Sequence, residues 1–167
     1  MPRDPGEHIQ EEDGILGLPR VAGSDTKMDD ILLQVRKPAR YIGREWNLPE
    51  KDFAKASVRF ALCFPDMYEI GMSNLGVRIM YDVLNSIPGV GCERFFSPAD
   101  DYAALVRSGD ISFGSLETAS PPGAFDMLGF SLGSELAYTN VLHVLSLGNI
   151  PLLSAERTPE HPFVFAG

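Results

Sequence analysis

The chemistry-bearing residues of this 167-residue chain concentrate in one loop, Cys63-Phe-Pro-Asp-Met-Tyr-Glu-Ile-Gly-Met-Ser-Asn-Leu-Gly76. It sets a carboxylate, a phenol and a glycine at Asp66-x-Tyr68-x-x-Gly71, with Ser73 close behind. The loop joins an apolar, strand-like run to a helix-like run, and open α/β sheets bind ligands outside the carboxyl ends of their strands. Asp66 and Tyr68 read equally as ligand contacts or as loop structure, the Asp closing a turn and the Tyr packing over the sheet. Gly71 and Gly76 serve turn geometry and close helix–sheet packing under either reading. A second group, Ser131, Gly133 and Ser134, follows the next core run. It suits helix capping first, and contact with a ligand phosphate second.

Little else in the sequence points to a reaction. Glu69 and Glu117 have no His or Lys partner that would suggest acid–base work. There is no Ser-His-Asp pattern, no nucleophile elbow, no Gly-x-Gly-x-x-Gly and no P-loop. His143 sits in an apolar helical run with no Cys, Asp or second His at ligand spacing, and His8 and His161 lie in polar or Pro-rich loops. Cys63 and Cys92 each fall inside an apolar run and read as buried thiols. Two cysteines cannot supply a zinc or iron–sulfur site by themselves. The expectation is no catalytic residue and no metal ligand in this chain.

These loops need a frame, and the pattern of apolar runs supplies one. Val58-Arg-Phe-Ala-Leu-Cys-Phe64 is nearly continuous, as in a strand buried on both faces. Ser73 or Asn74 can cap a helix on which Leu75, Ile79, Met80, Val83, Leu84 and Ile87 share a face; Pro88-Gly89 stops it. Cys92-Glu-Arg-Phe-Phe96 reads as a second strand. Ser97-Pro98-Ala-Asp100 is a helix start, with a capping Ser and Pro at the first helical position, and Gly109 ends that helix. Ile111–Leu116 reads as a short edge strand and Phe125–Leu132 as the next core strand. Ser134 caps a helix bearing Leu136, Val141, Leu142, Val144 and Leu145, closed by Gly148, and Phe163-Val-Phe-Ala-Gly167 is the last strand. A β-α-β-α-β-α-β series implies a doubly wound, mainly parallel, Rossmann-like α/β sheet with right-handed crossovers. The series stops at Ala166-Gly167 with no following helix, so the sheet is expected to be truncated at its C-terminus and the chain to be the N-terminal piece of something longer.

Three segments follow: a mobile arm over 1–28, an extension over 29–57 laid on the domain or a partner, and the α/β domain over 58–167. Tyr41, Ile42 and Trp46 of the extension are aromatics and aliphatics that call for cover. The formal charge of −9 and the lack of a Lys/Arg-rich run argue against nucleic acid and anionic membranes as partners. No apolar run approaches the roughly 20 residues of a membrane helix, and the N-terminus has no signal core. The default localisation is cytoplasmic. The open C-terminal edge predicts a homodimer of the fragment.

The segments Lys37-Pro-Ala-Arg-Tyr-Ile-Gly-Arg-Glu-Trp-Asn47, Arg59–Gly76, Cys92-Glu-Arg-Phe-Phe-Ser-Pro98, Ser115-Leu-Glu117, Phe125–Leu132, Glu135-Leu-Ala-Tyr-Thr-Asn140 and Gly148-Asn-Ile-Pro-Leu152 together resemble the N-terminal region of a largely uncharacterised bacterial family of B12-binding-like radical SAM proteins. The resemblance covers about residues 30–167. It implies a cobalamin-binding-like domain followed by a radical SAM barrel. The barrel's Cys-x-x-x-Cys-x-x-Cys motif holds a [4Fe–4S] cluster that reductively cleaves S-adenosylmethionine. No such triplet occurs here, so cluster and S-adenosylmethionine belong to the parent, whose barrel is the expected partner. Within the cobalamin pattern, Asp66 and Gly71 match the first loop motif, Asp-x-His-x-x-Gly, and Tyr68 replaces its cobalt-ligating His. Ser131 matches the start of a Ser-x-Leu motif in which Gly133 replaces the Leu, and Gly167 stands where a Gly-Gly pair would flank the nucleotide tail. The resemblance thus implies weak cobalamin binding with no protein lower ligand, through Asp66, Tyr68, Gly71, Ser73, Ser131, Gly133, Ser134 and Gly167. The alternative is a degenerate Rossmann-like interaction module without a cofactor.

Overall fold

The structure is a computed structural model that describes residues 32–43, 45, 48 and 53–167. The arm at 1–28 and Trp46 lie outside the described residues. Four strands form one all-parallel sheet in the order β2-β1-β3-β4: β1 (Val58–Phe64), β2 (Val90–Phe96), β3 (Met127–Phe130) and β4 (Phe163–Ala166). The helices are α1 (Tyr68–Ser73), α2 (Leu75–Ser86), α3 (Asp100–Ser108) and α4 (Tyr138–Leu147). The doubly wound α/β expectation therefore holds. Chain order reverses between β1 and β3, which makes the loops after those strands the topological switch point.

Side chains of β1 alternate between two cores. Ala61 and Cys63 point to the face of α3 and α4, where they meet Phe95, Tyr102, Leu128, Phe130 and Val144. Leu62 and Phe64 point the other way, to Val77 and Tyr81 of α2. Val35 is buried in the first core, and Tyr41 stacks on Tyr102 with ring centroids 3.9 Å apart.

Three local expectations are corrected, and a fourth is decided between its two candidates. The apolar face expected of α2 is not the buried one: Leu75, Ile79, Met80, Val83 and Ile87 are exposed, while Val77, Tyr81 and Asn85 are buried. Polar bonding selects this side. Asn85 donates to the Cys92 carbonyl at 3.1 Å and accepts the Cys92 N–H at 3.0 Å, and Tyr81 lies under the Arg94 guanidinium. Asn74, not Ser73, caps α2, accepting from the Val77 N–H at 3.1 Å. Helix α3 begins at Asp100 with Ala99 at its cap position; Ser97 is buried and its N–H donates to the Asp66 carbonyl at 2.9 Å. Residues 111–116 form no strand. Their stretch still blocks the outer edge of β2, because the Leu116 N–H donates to the Arg94 carbonyl at 2.9 Å, the kind of cover an edge strand needs.

Candidate functional site: the crest over β1 and β3

The chain leaves β1 at Pro65 and turns at once. The Asp66 carboxylate accepts from the Met67 N–H at 2.7 Å, so its side chain closes its own turn. Helix α1 then starts at Tyr68 behind Met67, which gives no side-chain cap. Tyr68 swings toward β2: its ring meets Phe96 edge-on at 5.6 Å, and its hydroxyl donates to the Glu45 carboxylate. Burial, then that hydrogen bond, push the phenol up to about 12. The next residue, Glu69, is gripped by Arg40 at 2.9 Å and Lys37 at 3.1 Å. The Arg40 hydrogen bond leads in holding its carboxyl down to about 2. Gly71 is a packing glycine: a Cβ there would sit 2.2 Å from Phe96 Cε1. Ser73 donates its hydroxyl to the Ile70 carbonyl at 2.9 Å.

Across the switch point, the Ser131 N–H donates to the Cys63 carbonyl at 2.9 Å, and the Leu132 N–H donates to the Gly167 carbonyl at 2.9 Å. These bonds extend the ladder beyond the strand ends. Asn140 of α4 donates to the Pro65 carbonyl at 2.9 Å and ties the two loops together. Gly133 borders open space: a Cβ there would meet nothing within 4 Å. Ser134 is exposed and does not cap a helix as expected. It precedes a 3-10 turn (Glu135–Ala137) and gives no side-chain cap, and α4 starts only at Tyr138. So the crest brings Asp66, Ser131, Gly133 and Gly167 to the carboxyl ends of adjacent strands, whereas Tyr68 and Gly71 are turned onto Phe96.

Beside Tyr68 lies a cavity of about 50 Å³, lined by Arg40, Tyr41, Arg94, Ser97 and Ser115 among others. That volume is far below the several hundred Å³ of an organic cofactor pocket. A larger surface groove of about 380 Å³ runs between Arg36, Lys37, Arg40 and the acids Asp100 and Asp101. Lys37 and Arg40 are already engaged by Glu69.

Two buried ionic pairs escaped the sequence reading. Glu93 is fully buried on β2, accepting from Ser115 Oγ at 2.5 Å and Thr118 Oγ1 at 2.7 Å, with Arg59 at 3.4 Å. Arg94 pairs with Glu117 at 2.7 Å. An acid beside an Arg inside the strand at Glu93-Arg94 was the available signal; the partners, Arg59 on β1 and Ser115, Glu117 and Thr118 of the following loop, lie more than twenty residues away, which no local pattern reveals.

The donor set does not fit a ligated corrin. A phenol held near 12 and bonded to a carboxylate cannot offer a phenolate at neutral pH, and Asp66 spends its carboxylate on its own turn. Nor does it fit an iron–sulfur cluster: among the described residues no three His, Cys, Asp or Glu side chains stand together. Cys63 and Cys92 are free and buried, and burial pushes both thiols well up. No helix among the described residues is long and apolar enough to cross a membrane.

A family model described as radical SAM proteins, N-terminal, matches residues 76–167, more than half of the chain. No curated protein and no solved structure matches it.

Proposed function

The chain belongs to the family of radical SAM protein N-terminal regions, and from that premise we propose that it is a Rossmann-like scaffold module of a radical SAM enzyme, one that does not ligate cobalamin. The family implies S-adenosylmethionine and an iron–sulfur cluster in the parent; those groups belong to a barrel outside this chain, and the substrate is the barrel's. One observation carries the scaffold reading: Tyr68, in the position of a cobalt-ligating His, is bonded to Glu45 and packed on Phe96.

A second reading is supported by the open ground at Gly133. There a corrin would lie over the β1/β3 crest without a protein ligand, touching Asp66, Ser131 and Ser134. Titration with hydroxocobalamin, followed by visible spectroscopy, tests both. The scaffold reading expects no saturable spectral change in wild type. Saturable binding without a nitrogen-ligated spectrum would replace it with the second reading. A ligated spectrum in wild type, lost in Tyr68→Phe, would overturn both.

A further inference from the structure

The buried guanidinium of Arg94 is short of acceptors. Its Nε donates to Glu117 at 2.7 Å. Its Nη1 reaches only the Met72 thioether sulfur, at 3.3 Å, and a thioether is a weak acceptor. Its Nη2 has no acceptor among the described residues. The side chain is 7% exposed, and donors buried to that degree as a rule find partners. The Nη2 nitrogen is not sealed in protein as Tyr81 Oη and Arg59 Nε are, so it has open space beside it.

Arg94 lines the chamber of about 50 Å³ beside Tyr68. A second guanidinium, Arg40, lines it too and is itself only 12% exposed. Ser97 and Tyr41 bring hydroxyl-bearing side chains to the same walls. No Asp or Glu stands among the lining residues; the carboxylates that pair with the two guanidiniums, Glu69 and Glu117, lie behind them. The chamber is thus a small space rich in donors and cationic in its lining. One water-sized sphere needs ~10–15 Å³ of such space, so the chamber holds a species little larger than water.

We propose that the chamber is a binding site for a small monovalent anion of halide size. Water would answer the unpaired donors but leave two like charges sharing one poorly solvated space, where their repulsion is strong. An anion answers both, through charge-assisted hydrogen bonds. Three segments meet at its walls: Arg40 and Tyr41 from the extension, Arg94 and Phe96 from β2, and Ser115 and Leu116 from the loop that guards the β2 edge. An anion held there fastens the extension to the body of the domain. This inference does not depend on the radical SAM reading.

Two measurements test it. Crystals grown in bromide should show an anomalous peak within hydrogen-bond reach of the Arg40 and Arg94 guanidiniums. In solution, amide hydrogen exchange over residues 36–43 should be several-fold slower in chloride than in gluconate at equal ionic strength, because gluconate is too large for the chamber. Arg40→Met should abolish that difference. Lys37→Met should keep it, since Lys37 also pairs with Glu69 but does not line the chamber. Should Arg40→Met fail to fold, the wild-type crystal and the Lys37→Met exchange still decide. A chamber without an anomalous signal would overturn the site. So would equal exchange in the two salts, or loss of the difference in Lys37→Met, which would mean that salt acts on the exposed ion pair. A bromide peak with no selective slowing would mean an adventitious ion only, and would overturn it as well.

Discussion

Arg94 and Glu117 hold each other twice. The Arg94 main-chain N–H donates to Glu117 Oε2 at 2.7 Å, and its guanidinium Nε donates to Oε1 at 2.7 Å. Both side chains are buried, 7% and 2% exposed. One carboxylate thereby satisfies the edge of β2 and neutralises a cation lying 4.3 Å over Tyr81. Burial pushes the Glu117 carboxyl up against the downward pull of Arg94, the mark of a pair whose desolvation is not fully recovered.

Removing one partner is therefore expected to cost far more than removing both. Glu117→Ala should destabilise by about 3–5 kcal/mol, because it strands a buried guanidinium, while Arg94→Met with Glu117→Leu should fall much nearer to wild type. Urea unfolding of the three proteins measures this. Equal losses in single and double variants would show that the pair itself supplies the stability.

Tyr68 gives a pH prediction. Its folded value is raised to about 12 from an ordinary value of about 10. A raised value means the native state holds the proton more tightly than the unfolded chain. The associated stability is whole below about 10 and is lost as pH rises through the folded value. The difference in tyrosinate absorbance between wild type and Tyr68→Phe should thus show a midpoint near 12. Glu45→Gln should move it down, since the carboxylate beside the phenol opposes a phenolate. A wild-type midpoint in the ordinary range would mean that Tyr68 is not held by Glu45 and Phe96, and the crest would again be open to a ligand.

The architecture was legible because it depends on local signals. Continuous apolar runs at Val58–Phe64 and around Met127–Phe130 match the short, largely buried strands β1 and β3, and helix stops at Gly109 and Gly148 lie where the chain turns. What failed to show was the choice between alternatives of equal local merit. Helix α2 has an apolar arc too wide to lie wholly against the sheet, and the buried side is the one on which Asn85 bonds to Cys92 and Tyr81 lies under the Arg94 guanidinium. Ser97 and Ser134 have the right type for caps, yet neither caps a helix with its side chain; α3 and α4 begin at Asp100 and Tyr138. In the crest loop, Asp66-x-Tyr68-x-x-Gly71 spells a motif, but the direction of Tyr68 depends on Glu45, twenty-three residues earlier.

Cys63 and Cys92 are expected to be silent toward thiol reagents. Burial raises both thiols above the ordinary cysteine range, and the thiolate is the reactive form. Labelling by a chromogenic disulfide should follow global unfolding, with both thiols appearing together at the denaturant midpoint. Fast labelling of one cysteine in native buffer would reveal local opening of β1 or β2.

Gly71 makes the sharpest steric test of the crest. A methyl group there would lie 2.2 Å from Phe96 Cε1 and 2.5 Å from its Cδ1, with Phe64 Cδ1 at 3.2 Å behind. Neither ring can retreat freely: Phe96 also packs against Tyr68, and Phe64 is buried in the core under α2. Gly71→Ala should therefore cost about 1–3 kcal/mol, the range for overpacking a tight site. Phe96→Leu should largely relieve it in the double variant, giving a coupling that two independent losses would not show. If both changes simply add, the glycine serves backbone conformation and α1 is not pinned through Phe96. Coupling with restored stability would locate the anchor of Tyr68 in this one glycine–phenylalanine contact, and so explain why the crest loop leans toward β2.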